Sequence, residues 1–131
     1  MLMTFSKPVY MERILSGVKI HTIRTDTHKR WRVGMTAHMW MHSPRNVSKN
    51  PFPFAEADVY DVCDITISKA RGMVEIIPPP KIAYAPSLDV SAVAINDGFN
   101  NAEQFFEWFG EFKGRIIFWE NLRPCKNTPG Q

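Results

Sequence analysis

Four side chains able to take part in proton transfer or anion binding lie close together near the start of this 131-residue chain: Lys19, His21, Thr22 and Arg24. A lysine held neutral by burial can accept the proton of a hydroxyl group, and a threonine activated in this way is a nucleophile. An arginine beside them would stabilise an oxyanion or a phosphate. The stretch therefore predicts a catalytic site, a nucleic-acid contact or, with neither role, a polar strand.

The residues around this stretch predict the elements that must position it. Residues 7–16 carry apolar side chains at helical spacing, and Gly17 is placed to end that helix in a left-handed conformation. Residues 19–24 predict a short strand. In a regular strand Lys19 and Thr22 lie on opposite faces, so a shared site requires a turn or a bulge between them.

Residues 36–42 alternate cleanly and predict a second strand. Its apolar face carries Ala37, Met39 and Met41. Its other face carries Thr36, His38, Trp40 and His42. That face is either the wall of a cleft or a solvated sheet surface. His38 and His42 share it, but no Cys or third His completes a recognisable ligand spacing, so no metal and no cofactor is predicted.

The remainder of the chain predicts a mixed α+β domain. Strands are expected over residues 59–67, 73–77 and 116–119, and short helices are expected from Ser87 and from Asn100. Residues 43–55 hold three prolines and predict a long irregular loop. Asp97 and Gly98 form the turn between the two later helices. An aromatic stripe on the last helix, consisting of Phe105, Trp108, Phe109 and Phe112, is typical of a core-facing surface.

The economical architecture for these elements is a small β-barrel or a strongly curved sheet with about three short helices. The length predicts one domain, residues 1–122, followed by a tail, residues 123–131. No apolar run approaches the about 20 residues needed to cross a bilayer, and the N-terminus lacks the order of a secretory signal. Two cysteines are too few for a disulfide scaffold. These features predict a reduced, cytoplasmic protein with no membrane contact.

Positive charge is concentrated in the first part of the chain. Residues 1–50 carry nine Lys and Arg against two acidic residues, whereas residues 51–131 carry seven against eleven. The asymmetry indicates either a basic face for an anionic partner such as nucleic acid, or a charge that folding neutralises against the second half. The candidate contacts for nucleic acid are Arg24, Lys29, Arg30, Trp31, Arg32, Trp40, Arg45 and Lys49. The two tryptophans would stack on a base.

The opening motif resembles that of the ASCH domains of the PUA-like superfamily. Those domains carry a Gly-x-Lys-x-x-Thr-x-Arg run, matched here from Gly17 to Arg24. The Asp97-Gly98-Phe99 turn before an aromatic helix is also similar, as is Trp31-x-x-Gly34 before a strand. The resemblance covers most of residues 2–120 and implies a small β-barrel with a central cleft that binds RNA or a modified nucleoside.

One branch of that family consists of amidohydrolases that remove the acetyl group of N(4)-acetylcytidine. The resemblance implies a catalytic set of Lys19, Thr22 and an acidic residue, which falls here on Asp97. That branch carries Glu at the acidic position, and the insert at residues 43–55 also departs from it. Two other functions remain open: a non-catalytic RNA- or DNA-binding module, and a metal-independent ribonuclease in which Lys19 and Arg24 stabilise the phosphorane.

Overall fold

The computed structural model describes residues 1–84 and 86–125. The strands are β1 (Leu2–Phe5), β2 (His21–Arg24), β3 (Thr36–Met41), β4 (Phe52–Ser68), β5 (Met73–Ile77) and β6 (Glu111–Pro124). The helices are α1 (Pro8–Leu15), α2 (Val90–Asn96) and α3 (Ala102–Phe109), with a 3₁₀ turn at Val47–Lys49. The predicted α+β class with three short helices is confirmed. The predicted tail overlaps the end of β6 and, beyond Cys125, lies outside the described residues.

The six strands form one mixed sheet in the order β1-β3-β4-β6-β2, with β5 added to the far half of β4. Among the strand pairs of the described residues, only β1 and β3 run parallel. Within the described residues β1 and β2 do not pair with each other, so a closed barrel is not confirmed. The Arg24 guanidinium of β2 donates to the Thr4 carbonyl of β1 at 2.7 Å across the open seam, which is compatible with a curved sheet.

Strand β4 is the longest element and organises both halves of the core. It pairs with β3 through its first residues, with β6 from Ala55 to its end and with β5 over its last residues, and its register with β6 shifts at Glu56/Asp58 and Val59/Asp61. The predicted loop over residues 43–55 is too long, because β4 already begins at Phe52. Pro53 fits in the strand since it pairs with Trp40 beside a register shift, where a missing N–H is tolerated.

The helix prediction over residues 7–16 is confirmed as α1 (Pro8–Leu15), and Gly17 has a φ of +85°. The last helix begins one residue later than predicted, because Asn101 rather than Asn100 caps it. The Asn101 side chain accepts from the Gln104 amide at 2.8 Å, and Gln104 accepts in return from the Asn100 amide at 2.9 Å.

The described helices, which fall within residues 1–84 and 86–125, all lack the length and apolar character that a bilayer crossing requires.

Candidate active site

The open seam between β1 and β2 contains a cavity of about 290 Å³, which is lined by residues from distant parts of the chain. Its lining residues are Thr4, Phe5, Ser6, Tyr10, Lys19, Thr22, Ile23, Arg24, Asp97, Phe99, Trp108 and Phe109. The predicted catalytic residues Lys19, Thr22 and Asp97 are therefore brought together, and Arg24 joins them. All three predicted catalytic side chains are at least 94% buried, with relative exposures of 3%, 6% and 3%.

A site shared by Lys19 and Thr22 requires a turn or a bulge between them. The chain meets this requirement because Lys19 precedes β2 and is not part of the strand. The left-handed turn at Gly17 allows the amides of Val18 and Lys19 both to donate to the Arg13 carbonyl at 2.9 Å. Strict alternation begins only at His21, where β2 starts. The bend therefore places the Lys19 and Thr22 side chains on the same cavity.

The Lys19 amine lies in a cradle of oxygen acceptors. Its Nζ donates to the His21 carbonyl at 2.8 Å and to the Asp97 carbonyl at 2.5 Å, and it lies 3.4 Å from Asp97 Oδ1. Burial lowers the pKa of Lys19, and the nearby Arg24 charge lowers it further, while the Asp97 carboxylate opposes both effects. The net lowering favours a neutral amine, which is the form that can accept a proton.

Asp97 reaches this cradle because it ends α2 and is followed by a glycine. Its amide donates to the Val93 carbonyl at 3.0 Å, and Gly98 has a φ of +102°. A Cβ at position 98 would lie 3.0 Å from the Tyr10 ring and 3.1 Å from Lys19 Cδ. The Asp-Gly turn therefore does more than reverse the chain: it leaves the space through which the lysine side chain passes.

Two further residues complete the network: His21, which belongs to the opening stretch but received no catalytic role from the sequence, and Tyr84, which the sequence did not single out. His21 is fully buried, and its Nδ1 lies 3.0 Å from Asp97 Oδ1. Its Nε2 contacts the Tyr84 hydroxyl. With a carboxylate on one side, Nδ1 carries the proton, so Nε2 accepts from Tyr84. The order Tyr84–His21–Asp97–Lys19 links four side chains whose positions in the sequence offer no common pattern.

Burial determines the charge states along this network. It lowers the pKa of His21, against the opposing effect of Asp97, and therefore favours the neutral ring. It also raises the pKa of the Tyr84 hydroxyl, with the Asp97 charge acting in the same direction. The Tyr84 phenol thus stays protonated and donates to His21 Nε2. The proton of the imidazole is then on Nδ1, which donates to the Asp97 carboxylate and orients it.

We expect the free energy of unfolding to fall as the pH decreases below about 6.5, the ordinary pKa of histidine. The unfolded chain then binds a proton that folded His21 resists, so stability is complete above that pH and is lost progressively toward the lowered folded-state pKa. The variant His21→Asn retains a donor near the Nδ1 position and removes this part of the pH dependence. Urea unfolding of both proteins from about pH 7.5 to about pH 5 tests this, and parallel curves would contradict it.

Arg24 bridges the seam between β2 and β1. Besides its bond to the Thr4 carbonyl, its guanidinium carbon lies 5.1 Å from the centre of the Phe5 ring. A fixed cation on a partly apolar wall is suited to stabilise a negative charge that develops in the cavity.

The other seven predicted contact residues lie outside this cavity. Five of them, Lys29, Arg30, Arg32, Arg45 and Lys49, are exposed, and Trp40 is half-buried on β3. Trp31 is only 4% exposed and packs in the hydrophobic core, so its predicted role in stacking on a base is corrected. The loop that carries it is held by Asp26, which accepts from the Arg30 amide at 2.8 Å and from the Trp31 amide at 3.2 Å.

Within residues 1–84 and 86–125, no group of three or more His, Cys, Asp or Glu side chains is arranged to hold a metal ion. Comparisons of the chain with protein-family models, with curated proteins and with solved structures found no match.

Proposed function

We propose that the protein is an ASCH-type, PUA-like domain that binds a nucleoside or RNA in the β1–β2 cavity and hydrolyses an amide on an acylated nucleobase such as N(4)-acetylcytidine. The observation that carries this proposal is the convergence of Lys19, Thr22 and Asp97 on one cavity, with the lysine amine buried. In this proposal the curved sheet is a PUA-like barrel whose open seam is the cleft.

The chemistry begins with the neutral Lys19 amine. Two of its N–H groups donate to the His21 and Asp97 carbonyls, which leaves the lone pair for the Thr22 hydroxyl proton. Thr22 Oγ1 forms a bond to the amide carbon, and the proton moves to Nζ. Arg24 stabilises the resulting oxyanion. The C–N bond then breaks, and the Lys19 ammonium gives its proton to the leaving amine.

The second half of the reaction returns the enzyme to its starting state. Water attacks the acetyl ester on Thr22 while Lys19 accepts the proton of that water. The ester bond breaks, acetate leaves, and Nζ returns the proton to Thr22 Oγ1. The sum is one amide and one water converted to one amine and one carboxylic acid. Asp97 positions the lysine throughout and is itself oriented by His21.

Incubation of the purified protein with N(4)-acetylcytidine tests the proposal directly, with cytidine and acetate measured by chromatography. We expect turnover by the wild type and a loss on the order of 10³-fold or more in Thr22→Ala, because the nucleophile is removed. Thr22→Ser keeps the hydroxyl and is the matched control. No turnover by the wild type, or equal turnover by Thr22→Ala, would refute the enzymatic proposal.

One observation favours a second candidate, a non-catalytic RNA-binding module. Lys29, Arg30, Arg32, Arg45 and Lys49 all expose their side chains, as phosphate-contacting residues must. If the protein binds RNA with an affinity that falls steeply as salt rises, and releases no acetate, this second function is the better description.

A further inference from the structure

A second cavity, of about 320 Å³, adjoins the first between α1, α3 and the turn before α3. The two cavities share three aromatic side chains, Tyr10, Phe99 and Trp108. Each volume is at the small end of ligand sites, so each accommodates one unit of a larger ligand rather than all of it. A ligand that passes the shared aromatic wall would occupy both.

The most exposed part of the shared wall is Trp108. The sequence pattern placed this ring in a core-facing stripe, but its side chain is 60% exposed, and this corrects that prediction. The Lys7 amine lies 4.6 Å from the centre of its ring, and the Phe99 ring supports it at 6.5 Å. The Lys7 amine lies over the face of the exposed indole, so a base that stacks on that face displaces the amine, which then meets the phosphate of the same nucleotide.

The polar groups of the second cavity are held in place by one another. Arg13 donates to the Gly98 carbonyl and to Asn100 Oδ1, and Gln104 accepts from the Asn100 amide. The amide oxygens are thus engaged, and the amide nitrogens are the groups left to donate to a base edge. The one acidic lining residue, Glu107, is paired with Lys69 at 2.7 Å, so it does not oppose an anionic ligand.

We propose that this second cavity is a subsite for the nucleotide next to the acylated one, so that the substrate is a base within an RNA strand rather than a free nucleoside. This inference rests on the proposed function. The acylated base occupies the β1–β2 cavity, the neighbouring base stacks on Trp108, and a phosphate lies against Lys7. Trp108 and Lys7 are binding residues here and take no part in the bond changes.

The kinetic test compares kcat/KM for N(4)-acetylcytidine with kcat/KM for a trinucleotide that carries the acetylated base at its centre. In the wild type we expect the trinucleotide to be favoured by about 5–150-fold, the range for one base on an aromatic ring. Trp108→Ala removes that preference and Trp108→Phe keeps part of it. Ile82→Ala, which alters an exposed apolar side chain outside both cavities, keeps it in full. Lys7→Gln makes the plot of log(kcat/KM) for the trinucleotide against log[salt] less steep by about 0.7, the value for one phosphate contact to a single strand.

A binding measurement separates this inference from the proposed reaction. The affinities of unmodified cytidine and of a cytidine trinucleotide are measured by calorimetry for the wild type, Trp108→Phe and Lys7→Gln. If no acetate is released but the trinucleotide binds more tightly in a way that depends on both side chains, the subsite stands and the reaction fails. If cytidine and the trinucleotide bind equally, or both variants weaken the two ligands by the same factor, the subsite is overturned.

Discussion

Replacing Lys19 by alanine is expected to reduce the turnover of N(4)-acetylcytidine by a factor of about 10²–10⁴, the usual contribution of a positioned general base. The amine is buried, its pKa is lowered, and it shares the cavity with the Thr22 hydroxyl. Without it the carboxylate of Asp97 is the basic group left in the lining, and its Oδ1 is already engaged by His21 at 3.0 Å. The measurement is kcat/KM at neutral pH, with Lys113→Ala as a control that removes an exposed lysine elsewhere on β6.

The pH dependence distinguishes a base from a structural cation. In the wild type, kcat/KM should rise with pH through the Lys19 pKa, which lies below the ordinary 10.5. In Lys19→Ala a small primary amine added to the buffer should restore part of the rate, and the restored rate should follow the pKa of the added amine. Full activity in Lys19→Ala, or a wild-type rate that falls as the pH rises toward 10.5, would contradict the assigned role.

Replacing Asp97 by alanine is expected to lower the free energy of unfolding by about 1–3 kcal/mol, the cost of leaving a buried donor without its acceptor. The carboxylate is the shared acceptor for Lys19 at 3.4 Å and for His21 at 3.0 Å, and both of those residues are buried. Its loss leaves an amine and an imidazole N–H in an apolar surrounding with one acceptor fewer. Urea denaturation measures the change, and Asp64→Ala, which alters a 68% exposed carboxylate, should change stability little.

A double-mutant cycle shows whether the loss comes from the pair itself. Lys19→Met combined with Asp97→Ala removes both partners of the contact, so the double variant should be less destabilised than the sum of the two single variants. A strictly additive result would mean that the two side chains do not interact, and that the cost of Asp97→Ala arises from its place at the end of α2.

Local patterns were sufficient for most of the secondary structure. The helical spacing before Gly17 predicted α1, because a glycine directly after such spacing readily adopts the positive φ that ends a helix. The alternation of Ala37, Met39 and Met41 predicted the buried face of β3, because side chains in a strand point alternately to its two sides. Both features depend only on neighbours within a few residues, so the sequence contains them in full.

The aromatic rings show where local patterns were not sufficient. Trp31 lies in a polar, basic stretch and is buried, whereas Trp108 lies in a regular apolar stripe and is exposed. Whether a ring is covered depends on which distant element packs against it. Trp31 belongs to a core cluster with residues of β3, β4 and β6, while α3 turns Trp108 toward the open side of the two cavities.

The candidate site likewise combines features that neighbouring residues determine with features that depend on distant elements. The sequence by itself determined that Lys19, Thr22 and Arg24 are close together, because five positions of chain cannot separate them far, and it named Asp97 through a resemblance. Only the tertiary structure decided that His21 and Tyr84 orient that carboxylate. His21 is 76 positions from Asp97, and Tyr84 is 63 positions from His21. A hydrogen bond between residues so far apart exists only after α2 packs against the sheet. No spacing in the chain encodes that approach.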